Sequence, residues 1–167
     1  RDIQRLHNTN ANRKCRTAKL MFRVKLRRSN DINRKKFFSF LQLFTFTPVS
    51  MNDVWIAGGA IAAQFDNSRK IKDFDLFFRN HNAAEQVKHD LVEVHGAKVV
   101  FQCPEGKLTT LRHKTHGKIQ LITERYYSDT ESLLDSFDIN AGRFAAVGTS
   151  VYFPYSAYRD NRRKRAT

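Results

Sequence analysis

Val54-Trp55-Ile56-Ala57-Gly58-Gly59-Ala60-Ile61, followed after a short gap by Lys72-Asp73-Phe74-Asp75-Leu76-Phe77-Phe78, is the stretch on which the fold turns. Its first four residues are a short apolar run stopped by glycine, the pattern of a buried strand. Gly58-Gly59 breaks the run, and Ala60 to Phe65 is helix-prone. In the second run Asp73 and Asp75 stand at i and i+2 of a strand, so they project together while Phe74 turns into the core. Glycines where a strand hands over to a helix let backbone amides approach an anion. Paired carboxylates repel each other, and a divalent cation relieves the repulsion. Two magnesium ions held this way can clamp the attacking and leaving oxygens of a phosphoryl transfer.

Outward from this stretch, strands and helices alternate. Asn82 with Glu85 reads as a capping box, and Ala84, Val87, Leu91 and Val94 then give one apolar helical face that ends at Gly96. Strands are expected over 97–101, 108–111 and 118–123. Ser128 with Glu131 forms a second capping box ahead of Leu133, Leu134 and Phe137. Strands over 139–147 and 150–153, joined by Gly148-Thr149, make a closing hairpin. The order β-α-β-α-β-β-β-α-β-β predicts an α/β (α+β) fold, a mixed sheet with helices packed on it. No internal repeat and no long linker interrupts it.

The 167 residues suit one domain, and 41% hydrophobic residues exclude wholesale disorder. No run of 18 apolar residues offers a membrane span, and the basic, polar start lacks the apolar core of a secretory signal. Cys15 and Cys103 make neither a disulfide framework nor a zinc pattern, so a reduced, cytoplasmic protein is expected. The net charge of +14 points toward nucleic acid, but it sits at the ends: +11 in residues 1–36, +4 in 159–167 and −1 between them. A near-neutral domain over 51–158 with two basic tails is the expected organisation. Residues 1–50, which include five Phe between 37 and 46, read either as a basic arm with an apolar anchor or as a dispensable, non-native leader ahead of a start at Met51. Residues 159–167 read as the first turn of a basic helix.

Trp55 to Ile61 followed by Lys72 to Phe78 resembles the head of the DNA polymerase beta-like nucleotidyltransferase superfamily. The branch it is most similar to holds tRNA CCA-adding enzymes and poly(A) polymerases, which read GGAVRD…KDIDLVV. Phe137-Asp138-Ile139-Asn140-Ala141 is similar to that branch's RRDFTINALAY segment, and the whole pattern looks like the small nucleotidyltransferases encoded by tailed phages. The resemblance covers about 54–153. It implies magnesium at Asp73 and Asp75, nucleotide phosphates at Gly58 and Gly59, and transfer of a nucleoside monophosphate from an NTP to a hydroxyl. The acceptor is an RNA 3′-end, a protein or a small molecule.

There are departures from the family pattern. Ala62 replaces the family's arginine, and little chain follows Phe153, which argues against specific CCA addition. The family's third carboxylate falls at Gln120, so Asp138, or else Glu124, would have to supply the acid; the other reading of Asp138 is that it simply ends a helix. Without a replacement, a degenerate site on a protein that binds nucleic acid or acts structurally is the alternative. Lys72 with Arg69-Lys70, and Arg143, are further candidates for phosphate contact, or else ordinary surface charges. His113 and His116 have metal-ligand spacing without a third ligand and read as a polar loop. Tyr126-Tyr127 reads as core more than as a base-stacking platform, and Cys103 as a buried strand-end residue.

Overall fold

The structure, a computed structural model, describes residues 3–6, 20–44 and 51–163. Its strands are β1 (Ile3–Leu6), β2 (Met21–Lys25), β3 (Val54–Ala57), β4 (Asp73–Phe78), β5 (Lys98–Gln102), β6 (Leu108–His113), β7 (Gly117–Ile122), β8 (Ala145–Val147) and β9 (Ser150–Pro154). Its α-helices are α1 (Ile32–Leu41), α2 (Gly59–Ala62), α3 (His81–His89), α4 (Thr130–Asp135) and α5 (Tyr155–Arg162). The strands form one mixed sheet in the order β1-β2-β9-β8-β3-β4-β7-β6-β5. β4 and β7 pair in parallel, because α3 and the β5–β6 hairpin intervene; the other neighbours are antiparallel.

The pleat sorts side chains to two faces. Phe74, Leu76 and Phe78 of β4 enter the larger core with residues of α1, α3 and α5. Phe77 joins Trp55, Ala57, Leu133 and Leu134 in a smaller core beneath α4. Asp73 and Asp75 share the α4 face and lie at the start of β4, where that smaller core ends.

The expected organisation needs correction at both ends. Residues 20–44 are not an arm separate from the domain. β2 pairs with β9 from Met21↔Pro154 to Lys25↔Ser150, and Phe37 and Phe40 are fully buried in the larger core. Residues 1, 2, 7–19, 45–50 and 164–167, the last within the expected basic tail, lie outside the described residues. The domain also runs past 158, since α5 carries Ala157, Asp160 and Asn161 inward.

Both capping boxes shift by a residue or two. Asn80, not Asn82, caps α3 by accepting the Ala83 amide at 2.8 Å. Asp129, not Ser128, caps α4 by accepting the Ser132 amide at 2.7 Å, and that bond holds its carboxyl below the ordinary range. Val94 leaves the apolar face and is 65% exposed, because α3 ends in a π-helical turn over Asp90–Val94 that changes the residue spacing. The strand expected over 139–147 is only β8, preceded by a 3₁₀ turn at Asn140–Gly142.

Candidate active site

β4 delivers the two aspartates because Phe74 is fixed between them on the far face. The Phe74 ring is 2% exposed and stacks on Phe40 with centroids 3.9 Å apart and planes 4° apart. Asp73 and Asp75 therefore cannot turn inward. On one side, β3 pairs Ala57 with Asp75, which sets Gly58 against the carboxylate. Gly58 has φ +79°, a conformation natural to glycine, and a Cβ built there would lie 3.5 Å from Asp75 Oδ2. On the other side, β7 pairs Lys118 with Asp73 and Gln120 with Asp75. Lys118 Nζ stands 3.8 Å from Asp73 Oδ2.

The electrostatics concentrate on Asp75. Burial pushes its carboxyl from 3.8 up to about 6; the Asp73 charge adds to the rise and Lys118 opposes it. Asp75 Oδ1 is buried with no hydrogen-bond partner. A buried acceptor beside a like charge is costly on its own, and a cation or proton is what it lacks. The pair fits one divalent cation whose other ligands come from substrate oxygens and water. Among the described residues no three His, Cys, Asp or Glu side chains gather to hold a metal, so there the pair stands without a third carboxylate.

The glycine turn divides its labour. The Gly58 amide donates to Phe144 O at 3.0 Å, so it is not available to phosphate. Gly58 O accepts from the Ile61 and Ala62 amides, which leaves Gly59, exposed, and Ala60, buried, as the remaining amides of the first turn of α2. The short helix is held from behind by buried side chains. Asn33 Nδ2 donates to Ala63 O and Arg69 O, Gln64 Nε2 to Ala60 O and Asn33 O, and Asn161 Nδ2 to Ala62 O. α1 and α5 thus position the turn beside the aspartates.

A family model described as Gabija anti-defense 2 family protein matches residues 31–164. The chain belongs to the Gabija anti-defense 2 family. A curated relative, Gabija anti-defense 2 of Bacillus phage SPbetaL7, is 30% identical over 110 residues, which is 66% of this chain and 26% of that protein. The chain thus spans about a quarter of that relative's length. Among solved structures, the Thermotoga maritima CCA-adding enzyme complexed with tRNA matches with a TM-score of 0.61 at 17% identity, over 82% of this chain and 34% of that one. A CCA-adding enzyme in complex with ATP matches with a TM-score of 0.62 at 18% identity, over 77% and 32%. The fold is that of the CCA-adding enzyme head, carried by a member of a phage anti-defense family. The family match begins at the N-cap of α1, ahead of Met51.

Of the residues singled out from sequence, Asp73, Asp75, Gly58 and Gly59 come together. Lys72 is exposed one residue before β4. Asp138 does not join them: it is exposed in the turn after α4, where the chain coils into 3₁₀ instead of extending as a strand. Glu124 is exposed beyond β7. Arg143 donates from its Nε and one Nη to Phe137 O, which ties the turn to the end of α4. His113 Nδ1 accepts the Thr115 and His116 amides, which makes it a turn former. Tyr127 is core, and Cys103 is half-buried just past β5. Sequence reading missed Lys118 as a partner of Asp73. It also missed Asn33 and Asn161 as supports of α2, because none of the three carries a local motif.

Proposed function

We propose that this chain is a nucleotidyltransferase domain that serves the Gabija anti-defense role of its family by moving a nucleoside monophosphate from an NTP to a hydroxyl. The observation that carries this reading is the half-buried Asp75 carboxylate, its Oδ1 buried without a hydrogen-bond partner, beside Asp73 and facing a positive-φ glycine at a strand-to-helix turn. Asp73 and Asp75 are the residues that would hold magnesium, and a magnesium ion there would supply neutralisation of triphosphate charge and polarisation of the reacting phosphorus. The Gly59 and Ala60 amides receive the phosphates. Phe74, stacked on Phe40 behind the sheet, holds the strand that carries the aspartates, so donor and acceptor are oriented with little reorganisation. The acceptor hydroxyl releases its proton to water as its oxygen bonds to the α-phosphorus and the α–β phosphoanhydride bond breaks, freeing pyrophosphate. Related structures were solved with ATP, CTP and tRNA, which supports a nucleotide donor and an RNA hydroxyl as acceptor.

One observation favours a second reading. Gln120, directly across from Asp75, binds magnesium poorly where a third carboxylate would bind it well. On that reading the domain binds nucleotide and metal without turnover. Incubating the full chain with each α-labelled NTP, magnesium and an RNA pool separates the two. Label transferred by the native protein and abolished in Asp73→Asn supports the enzyme. NTP binding without transfer under all four nucleotides supports the second reading.

A further inference from the structure

The register of the sheet places a row of cations beside the aspartates. Lys118 of β7 stands across from Asp73, Arg112 of β6 across from Lys118, and Lys98 of β5 across from Arg112. Directly opposed residues share a face, so the three positive charges run from Asp73 toward the sheet edge on the face that carries the carboxylates. The opposite face is identified by Leu111 and Ile119, which enter the larger core. Arg112 and Lys98 are exposed, and among the described residues neither meets a carboxylate within salt-bridge distance. Like charges set directly opposite one another across strands destabilise a sheet. Two such pairs in succession are a cost that a polyanion would remove.

The placement selects the polyanion. Gly58 and the α2 amides lie on the β3 side of Asp75, whereas the cation row lies on the β7 side. A triphosphate on the glycine turn would leave the row unused. The row also extends about 10 Å beyond Lys118 to the edge, at roughly 4.8 Å per strand. Phe101, across from Thr110 on the same face, is 53% exposed at that edge and presents a ring on which a base can stack. From this geometry we infer that Lys118, Arg112 and Lys98, ending at Phe101, form the track for the backbone of a single-stranded nucleic-acid acceptor. This inference rests on the proposed transfer reaction and names its substrate class.

The test is binding without turnover. A fluorescein-labelled single-stranded RNA 12-mer is titrated with the full chain in EDTA and followed by anisotropy, with Lys118 left intact. Lys98→Glu/Arg112→Glu is expected to weaken binding at least tenfold at low salt. It should also make the slope of log K against log salt shallower by about 1.4, from two lost phosphate contacts. A control of equal charge change, Lys35→Glu/Lys36→Glu on exposed positions of α1, is expected to weaken binding less than threefold. Phe101→Ala should weaken it severalfold without changing the salt slope. Thermal melts establish that each variant is folded. Equal losses in both double variants, no loss in the row variant, no measurable binding by the native chain, or displacement of the RNA by ATP would each overturn the track. NTP and metal binding by Asp73 and Asp75 are measured separately, so failure there leaves this assay readable.

Discussion

Gly58 and Asp75 are coupled through backbone geometry and charge. At φ +79° any L-residue at position 58 is strained, while Gly59 has no such φ and open space where a Cβ would go. Gly58→Val is expected to lower stability by about 1–3 kcal/mol and to weaken NTP binding, whereas Gly59→Ala keeps the native melting temperature. A pair of thermal melts checks this. For Asp75 the sign follows from its raised carboxyl. Between pH 3.8 and about 6 the folded chain keeps a proton that the unfolded chain has released. This group's contribution to the stability of the metal-free protein therefore falls as pH rises through that window and stays low above it. Asp75→Asn should remove this fall, and at pH 8 should raise metal-free stability by up to roughly 3 kcal/mol. Urea titrations at pH 5 and pH 8, in EDTA, measure the difference. Added magnesium should reverse the loss in the native chain and not in the variant.

The elements differ in how much of them a linear sequence shows. β3 and β4 were legible because each is a continuous apolar run with its own punctuation, and the i, i+2 aspartates needed only the pleat. α1 was not legible, although its buried residues Asn33, Phe37 and Phe40 keep helical spacing. The first of them is polar, buried for its hydrogen bonds to Ala63 O and Arg69 O, and cations surround the set. Lys118 was hidden for another reason: pairing register is fixed by distant strands, and a slip of one residue would place it on the other face. Asp138 and Arg143 were misplaced because a 3₁₀ turn replaced the expected strand. Since Phe40 fills the gap behind Phe74, Phe40→Ala should cost about 3–5 kcal/mol in a denaturant titration. A chain beginning at Met51 lacks β2 and α1 altogether, and it is expected to be insoluble or to melt without a cooperative transition. A cooperative melt within a few degrees of the full chain would show instead that α1 is dispensable.

Across the whole molecule, the β4 aspartates divide the sheet face into two approaches. The glycine turn on the β3 side is suited to a donor triphosphate, and the cations on the β7 side to an acceptor strand. α1 and α5 both reach the turn from behind, through Asn33 and Asn161, so the two helices fix the glycine turn in the same domain that holds the carboxylates. The central claim is that Asp73 and Asp75 form one metal–nucleotide site, and manganese binding read by electron paramagnetic resonance tests it most directly. With a non-hydrolysable NTP analogue present, the full chain is expected to bind manganese at Asp73 and Asp75, with affinity falling as pH drops through about 6. Asp73→Asn/Asp75→Asn should abolish that binding while the protein remains folded. Undiminished, nucleotide-dependent manganese binding by the folded double variant would contradict the account.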